Sequence, residues 1–159
     1  MAASSSAIRL ADLALTWSNA TGDADLSMID GDLASDTGLE TAVILSLWSD
    51  RRAKDDDVPP SGDPSDRRGW WGDEFLDVEG DRVGSRLWLL DRATLNNETL
   101  RKADEYAREA LTWMVEDRVA SGADVAIERG ADRMLTAITL SRPGRDPITF
   151  RFAHVWDNP

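Results

Sequence analysis

The chain has 159 residues, and its 30 acidic residues against 18 basic ones give a formal net charge of -12 at pH 7. This charge disfavours nucleic acid or an anionic membrane surface as the main binding partner. The absence of cysteine excludes a disulfide framework and thiolate chemistry, and the single histidine, His154, cannot form a histidine-based metal cluster.

The length suits one domain, residues 1–159, with a sizeable hydrophobic core. The opening MAASSSAIRL has no basic region followed by an apolar region. The longest apolar stretch, residues 42–48, is far shorter than the roughly 20 residues that span a bilayer. We therefore expect neither a visible export signal nor a membrane span.

The first third of the chain predicts a β-hairpin. Two short alternating segments, residues 13–17 and 25–29, are joined by the turn-rich SNATGD and closed by Asp30-Gly31-Asp32.

The next segment, SDTGLETAVILSLWSDRR, predicts a helix over about 38–50. Asp36 or Thr37 can cap it, and its apolar residues share one helical face. A strand is the alternative, because a short apolar run does not distinguish the two by period, but a helix is preferred.

Residues 51–66 predict an exposed, flexible loop, since AKDDDVPPSGDPSD has no periodicity and contains three prolines. A short helix is expected within residues 83–93, VGSRLWLLDRA, where Ser85 can cap and the leucines share one side.

The segment NNETLRKADEYAREALTWMVEDRVASG predicts a long helix. Asn96 or Asn97 caps its start, Gly122 ends it, and apolar residues recur at the spacing of one helical face. Three charge pairs at helical spacing support it: Glu98–Lys102, Arg101–Glu105 and Asp104–Arg108.

Three alternating segments follow, residues 125–128, 134–141 and 148–155, separated by the turns 129–132 and 142–145. They predict an antiparallel three-strand meander with the long helix over one face. The expected fold class is therefore α+β.

The stretch DRRGWWGDEF, residues 66–75, is called the aromatic cluster below. Trp is over-represented in this chain, with 7 against 3 Phe and 1 Tyr, and Trp and Arg are enriched in interface hot spots. We expect one of Trp70 and Trp71 to anchor the fold while the other faces a partner, with turns permitted by the glycines at 69 and 72.

The arginines of the aromatic cluster, Arg67 and Arg68, are the predicted docking charges. Arg suits planar contacts, so these side chains could also stack on the rings or pair with Asp73 and Glu74. A solvated surface cluster is the alternative.

The end of the long helix carries Glu116-Asp117-Arg118. Two acids lie in a last helical turn, where the backbone already carries partial negative charge. Two interpretations remain open for them: solvation, or contact with a basic partner in the fold or across an interface. Arg118 stands where a helix favours a cation.

A carboxylate-based glycan hydrolase is a second hypothesis, and a glycan-binding module is a third. Asp73, Glu74 and Glu116 are the candidate acids, with Trp70 or Trp71 as a sugar platform. However, thirty acids make some pair inevitable by chance, and no spacing selects one. No phosphate-binding glycine loop or metal-ligand spacing occurs, so no cofactor, metal or catalytic residue is predicted.

The order of GLETAVILSLWSDRR, DRRGWWGDEF, GSRLWLLDRA, WMVEDR and ADVAI resembles the gene product 46 family of baseplate proteins of Mu-like phages. The similarity runs from about residue 22 to residue 125. More distantly, the chain resembles the gene product 25 and W proteins of contractile-tailed phages, in which a helix ends in Glu-Pro-Arg before a strand. Glu116-Asp117-Arg118 holds that place here, with Asp117 instead of the proline.

The resemblance implies a structural subunit of the baseplate wedge that binds a larger wedge protein and helps to start sheath assembly around the tail tube. It implies wedge, sheath or tube proteins as partners, several copies in each baseplate, and a place in the virion after synthesis in the bacterial cytoplasm. The expected partner-binding residues are Arg67, Arg68, Trp70, Trp71, Glu116, Asp117 and Arg118.

Overall fold

The computed structural model describes residues 12–29, 32–33, 35–36, 39–75 and 82–156, and these combine short strand pairs, two α-helices and a three-stranded sheet. The fold class is α+β, as predicted. Side chains from the N-terminal hairpin, both α-helices, the segment between them and the sheet contribute to one continuous hydrophobic cluster.

The N-terminal part contains the predicted hairpin, in which a turn over residues 19–22 joins two antiparallel strands that pair Trp17 with Ala24. Gly22 has a φ of 71° in this turn, a conformation that favours glycine. Two further strand pairs flank the hairpin, β1 (Asp12–Leu13) with β6 (Ser35–Asp36) and β4 (Met28–Ile29) with β5 (Asp32–Leu33). Residues 30 and 31, part of the predicted closing turn, lie outside the described residues. The strands of the hairpin itself are β2 Leu15–Ser18 and β3 Asp23–Leu26.

The first helix, α1, spans Glu40–Trp48, close to the predicted 38–50. Its N-cap residue is Leu39, which makes no side-chain capping bond, so the predicted cap by Asp36 is wrong. Asp36 is instead part of β6, where it pairs with Asp12 of β1. Thr37, the other predicted cap, lies outside the described residues.

Residues 51–70 contain turns but no helix or strand, as the composition predicts. The segment is not exposed along its whole length, because Ala53 and Pro59 are buried. Its flexibility remains a prediction. The aromatic cluster ends in a 3₁₀ helix, Trp71–Phe75.

The helix expected within residues 83–93 is a single 3₁₀ turn, Leu87–Leu90. The preceding residues cannot join it because Ser85 is extended in a parallel bridge with Asp50. The N-cap residue is Arg86, which makes no side-chain capping bond, so the predicted cap by Ser85 is wrong. The Ser85 hydroxyl, one residue earlier, accepts a hydrogen bond from the Leu87 N–H at 3.2 Å and donates one to the Leu47 carbonyl.

The long helix, α2, spans Asn97–Glu116 and begins where predicted. The Asn96 Oδ1 accepts hydrogen bonds from the backbone N–H groups of Glu98 and Thr99 at 2.9 and 3.0 Å. All three predicted charge pairs form on its surface: Glu98–Lys102, Arg101–Glu105 and Asp104–Arg108.

The end of α2 differs from the prediction, since Gly122 already lies in the following strand. Arg118 instead reverses the chain, with a φ of 60° and its N–H bonded to the Val115 carbonyl at 3.1 Å. This left-handed position is usually glycine, so a local preference is overridden here.

The predicted meander forms from β7 (Gly122–Arg129), β8 (Arg133–Arg142) and β9 (Arg145–Val155), which lie in that order and pair antiparallel. Met134, Ile138 and Leu140 of β8 are buried in the same core as Ala107 and Leu111 of α2. The helix therefore covers one face of the sheet, as expected.

Replacing Arg118 tests the left-handed helix end. The variant Arg118→Gly is expected to be more stable than Arg118→Ala by about 1 kcal/mol, because a Cβ in the left-handed region costs roughly that much. Both variants lose the same charge and side chain, so the comparison isolates the backbone. Urea denaturation followed by circular dichroism measures the difference, and equal midpoints for the two variants would contradict the assigned conformation.

Candidate interaction surface

The two tryptophans of the aromatic cluster lie at the surface. Trp71 is 76% exposed and Trp70 is 46% exposed, with their ring centroids 5.7 Å apart. The expectation that one of them anchors the fold is therefore wrong. The reason is local: the Trp70 ring lies against Gly72, where a Cβ would collide with it, so the ring packs on its own turn instead of entering the core.

Gly69 has the role that the sequence predicts. Its φ is 100°, and a Cβ built there would approach the Arg52 Cβ at 2.8 Å. The cluster thus turns sharply against the start of the preceding loop.

Arg67 is directed into that loop. Its Nη1 donates to the carbonyls of Lys54 at 2.6 Å and Asp57 at 3.2 Å, and its own carbonyl accepts from the Ala53 N–H at 2.9 Å. These contacts fasten the aromatic cluster to residues 53–57.

Arg68 stacks on a tryptophan, but on Trp88 and not on those of the aromatic cluster. Its guanidinium carbon lies 4.3 Å from the Trp88 ring centroid, and its Nη1 lies 2.8 Å from an Asp50 carboxylate oxygen. Neither Arg67 nor Arg68 forms the alternative pair with Asp73, and the side chain of Glu74 lies outside the described residues.

A buried arginine, Arg86, is the most heavily bonded side chain near this surface, and no sequence motif marked it. Its side chain is 7% exposed. Nη1 donates to both oxygens of Asp57 at 2.9 and 3.0 Å, while Nε and Nη2 donate to Glu109 Oε2 at 2.9 and 2.7 Å. The guanidinium also lies 4.3 Å from the Tyr106 ring centroid.

Lys54 extends this network, with Nζ at 2.9 Å from Glu109 Oε1. Burial raises the pKa of Glu109, but the hydrogen bonds and charges of Lys54 and Arg86 outweigh it, so the pKa lies below its usual value. The network joins the loop, the segment before the second 3₁₀ turn and α2, and it is called the Arg86 network below.

Glu116, Asp117 and Arg118 are all exposed at the end of α2. Within the described residues, none of their side chains has a recorded hydrogen bond or ion pair. Basic groups of the described fold therefore do not bind the two acids. Solvation and contact with a basic partner across an interface remain as interpretations.

No recorded contact between described residues joins this helix end to the aromatic cluster. The two are connected through α2, because Glu109 binds Lys54 and Arg86 while Glu116 follows seven residues later on the same helical side. At a rise of about 1.5 Å per residue, the helix end lies roughly 10 Å further along the axis.

Of the candidate acids of the glycan hypothesis, Asp73 and Glu116 are not brought together by any contact in the described part of the chain, and the side chain of Glu74 lies outside it. The Asp73 Oδ1 accepts from the Val83 N–H at 3.3 Å, which ties the aromatic cluster to the segment after the undescribed residues 76–81. Glu116 lies at the end of α2.

A second feature that the sequence did not indicate is a cleft between the hairpin, α1 and β9. It is lined by Trp17, Trp48, His154 and Trp156, which come from distant parts of the chain. In the described part of the chain, His, Asp and Glu side chains do not gather into a group that could hold a metal ion. None of the described helices combines the length and the hydropathy of a membrane span.

Comparison with known proteins identifies the class. A protein-family model described as phage protein GP46 matches residues 39–147, which contain both the aromatic cluster and the end of α2. The chain therefore belongs to a family of phage proteins.

Two relatives sharpen this assignment. The chain is 40% identical over 147 residues to the baseplate protein gp46 of Escherichia phage Mu, covering 91% of this chain and 97% of that protein. It is also 40% identical over 116 residues to the Mu-like prophage FluMu protein gp46 of Haemophilus influenzae, covering 73% and 75% of the two chains. The chain belongs to the GP46 family of Mu-like phages, as the resemblance predicted.

Removing the central arginine tests the Arg86 network. Arg86→Met is expected to lower the free energy of unfolding by about 3–5 kcal/mol, because it leaves two partly buried carboxylates without their shared cation. Arg101→Met is the control, since its pair with Glu105 is exposed, at 65% and 59%, and should change stability by less than about 1 kcal/mol. Urea denaturation measures both, and similar losses in the two variants would contradict the role of Arg86.

The lowered pKa of Glu109 predicts a pH dependence. A carboxylate with a depressed folded pKa stabilises the fold above its unfolded pKa of about 4.5, and this stability is lost as the pH falls through the folded value. The stability difference between the wild type and Glu109→Gln should therefore shrink as the pH is lowered from 6 to 3. Urea midpoints along this series measure it, with Glu105→Gln as an exposed control, and a constant difference would refute the prediction.

Proposed function

We propose that the protein is a structural subunit of the baseplate of a contractile phage tail, in which it binds a larger wedge protein and supports sheath initiation without catalysing a reaction. The observation that carries the baseplate role is the 40% identity to the Mu baseplate protein gp46 over 91% of this chain. The wedge position and the role in sheath initiation go beyond that identity and are supported by the resemblance in sequence described above.

The exposed Trp71 supports a protein-binding role. A large aromatic side chain that is 76% exposed suits an interface anchor, because tryptophan is among the residues enriched in hot spots. The backbone that precedes Trp71 is bonded to the rest of the fold, because Arg67 binds the loop and Arg68 binds Asp50. A fixed anchor loses little conformational freedom on binding.

The end of α2 supports a second contact. Glu116 and Asp117 add negative charge beside the last carbonyl groups of the helix, where it is locally unfavourable by a few tenths of a kcal/mol. A partner with basic groups would relieve this repulsion. Arg118 would remain available for a partner carboxylate, and its fixed left-handed backbone sets its direction.

The glycan-cleaving and glycan-binding alternatives receive less support. A sugar platform would suit Trp71, but the catalytic chemistry needs two carboxyl groups at a defined separation of roughly 5–10 Å. Asp73 and Glu116 belong to separate parts of the fold, and no contact between described residues brings their carboxyl groups together.

The proposal is tested by complementation in a phage or prophage that encodes this chain. Deleting the gene should abolish sheathed tails seen by electron microscopy, and the wild-type chain should restore them and be found in purified tails. Trp71→Ala should weaken incorporation, since loss of an interface tryptophan costs about 2 kcal/mol or roughly 30-fold in affinity. Arg118→Ala is expected to act in the same direction.

Arg101→Ala serves as the control, because that side chain is exposed on α2 outside both proposed contacts. A photo-crosslinking amino acid at position 71 should form an adduct with a larger tail protein in assembled particles. Normal sheathed tails without the gene would overturn the structural role. Normal incorporation of both variants would overturn the site, and hydrolysis of peptidoglycan by the purified protein would favour the enzymatic alternative.

A further inference from the structure

The cleft between the hairpin, α1 and β9 borders the aromatic cluster at Arg68, which binds Asp50 of its lining, but Trp71 and the end of α2 do not line it. Its volume is about 190 Å³, below the 300–1,000 Å³ typical of pockets for drug-sized ligands. It therefore suits a single side chain better than a cofactor or an oligosaccharide.

Stacked aromatic rings form one wall of this cleft. The Trp17 and Trp48 ring centroids lie 4.6 Å apart with planes 24° from parallel, and the Trp48 and His154 centroids lie 4.9 Å apart at 20°. Trp156 meets His154 edge to face at 6.1 Å. Indole faces carry negative electrostatic potential, which attracts a cation placed over them.

Three carboxylates, those of Asp23, Asp50 and Asp91, also line the cleft, and among its described lining residues there is no Lys or Arg. Asp50 and Asp91 share Arg68, at 2.8 and 3.8 Å. Burial raises the pKa of Asp91 and the neighbouring Asp50 raises it further, and the charges of Arg68 and His154 lower it without offsetting these effects. A second cation beside Asp91 and Asp50 would therefore stabilise their ionised forms.

Arg68 shows how a guanidinium fits these groups. It lies 4.3 Å above the Trp88 ring centroid while donating to Asp50, and both Trp88 and Asp50 line the cleft. Trp48, Asp91 and Asp23 line the same cleft, so a second guanidinium there would meet the same two kinds of group, an indole and carboxylates.

We propose that this cleft binds an arginine side chain presented by a neighbouring protein. Arginine is favoured over lysine because its planar guanidinium stacks on aromatic rings and is more weakly hydrated. The net charge of -12 additionally favours the approach of a basic surface. The inference rests on the cleft alone and does not depend on the baseplate role.

The test is a titration of the full chain, labelled with ¹⁵N, with the peptide N-acetyl-Gly-Arg-Gly-amide. The indole N–H of Trp48 is the reporter, because it is buried and has no hydrogen-bond partner in the described residues; Trp48→Phe assigns its signal. We expect a saturable shift of this signal. The matching citrulline peptide, which has the same shape without the charge, should give no saturable shift, and the lysine peptide should bind more weakly.

Asp91→Asn should weaken arginine-peptide binding at least threefold, and Asp91 is half exposed, so the variant is expected to fold. Asp23→Asn provides a second acidic variant, and Asp146→Asn, exposed at the start of β9, is the control that should bind like the wild type. Equal binding of the citrulline peptide, no saturable shift, or unchanged affinity in both acidic variants would overturn the proposal. Tighter peptide binding by Arg9→Ala would also overturn it, because the chain's own Arg9 would then be the occupant.

Discussion

The guanidinium of Arg86 joins parts of the chain that share no regular secondary structure. It binds Asp57 in the loop and Glu109 on α2, and it stacks on Tyr106. Burying an arginine costs several kcal/mol unless its charge and donors are satisfied, and here two carboxylates and an aromatic face satisfy them. Because Asp57 and Lys54 both take part, the position of the loop relative to α2 depends on this network.

The position of the aromatic cluster depends on the Arg86 network. Arg67 binds the carbonyls of Lys54 and Asp57, the same two residues whose side chains meet Arg86 and Glu109. The exposed Trp71 therefore rests on a segment that is bonded to α2 through two successive layers of contacts. A loop with a composition typical of disorder is in this way bonded to α2 by a few polar contacts, which here do the work that apolar packing does elsewhere in the fold.

Sequence reasoning succeeded where the determining interactions are local. The Asn96 cap, the three charge pairs of α2 and the alternation of β8 all depend on residues within four positions, and each is confirmed. It failed where distant residues decide the outcome. Arg86 looked like an ordinary residue in GSRLWLL because its carboxylates lie 29 and 23 positions away. Arg118 ends α2 in a conformation that favours glycine, which local preference assigns to Gly122.

The seven tryptophans have two different roles: most stabilise the fold internally, and one is the proposed partner contact. Several indoles use their N–H to bind irregular backbone or a second helix: Trp88 donates to the Arg51 carbonyl at 2.8 Å, Trp156 to Ala93 at 2.8 Å, and Trp113 to the Ser46 hydroxyl at 3.0 Å. Phenylalanine could fill the same space but could not satisfy those acceptors. A fold with long irregular segments needs such donors, so much of the tryptophan content stabilises this protein internally. Exposure, and not abundance, therefore distinguishes Trp71 as the proposed partner contact.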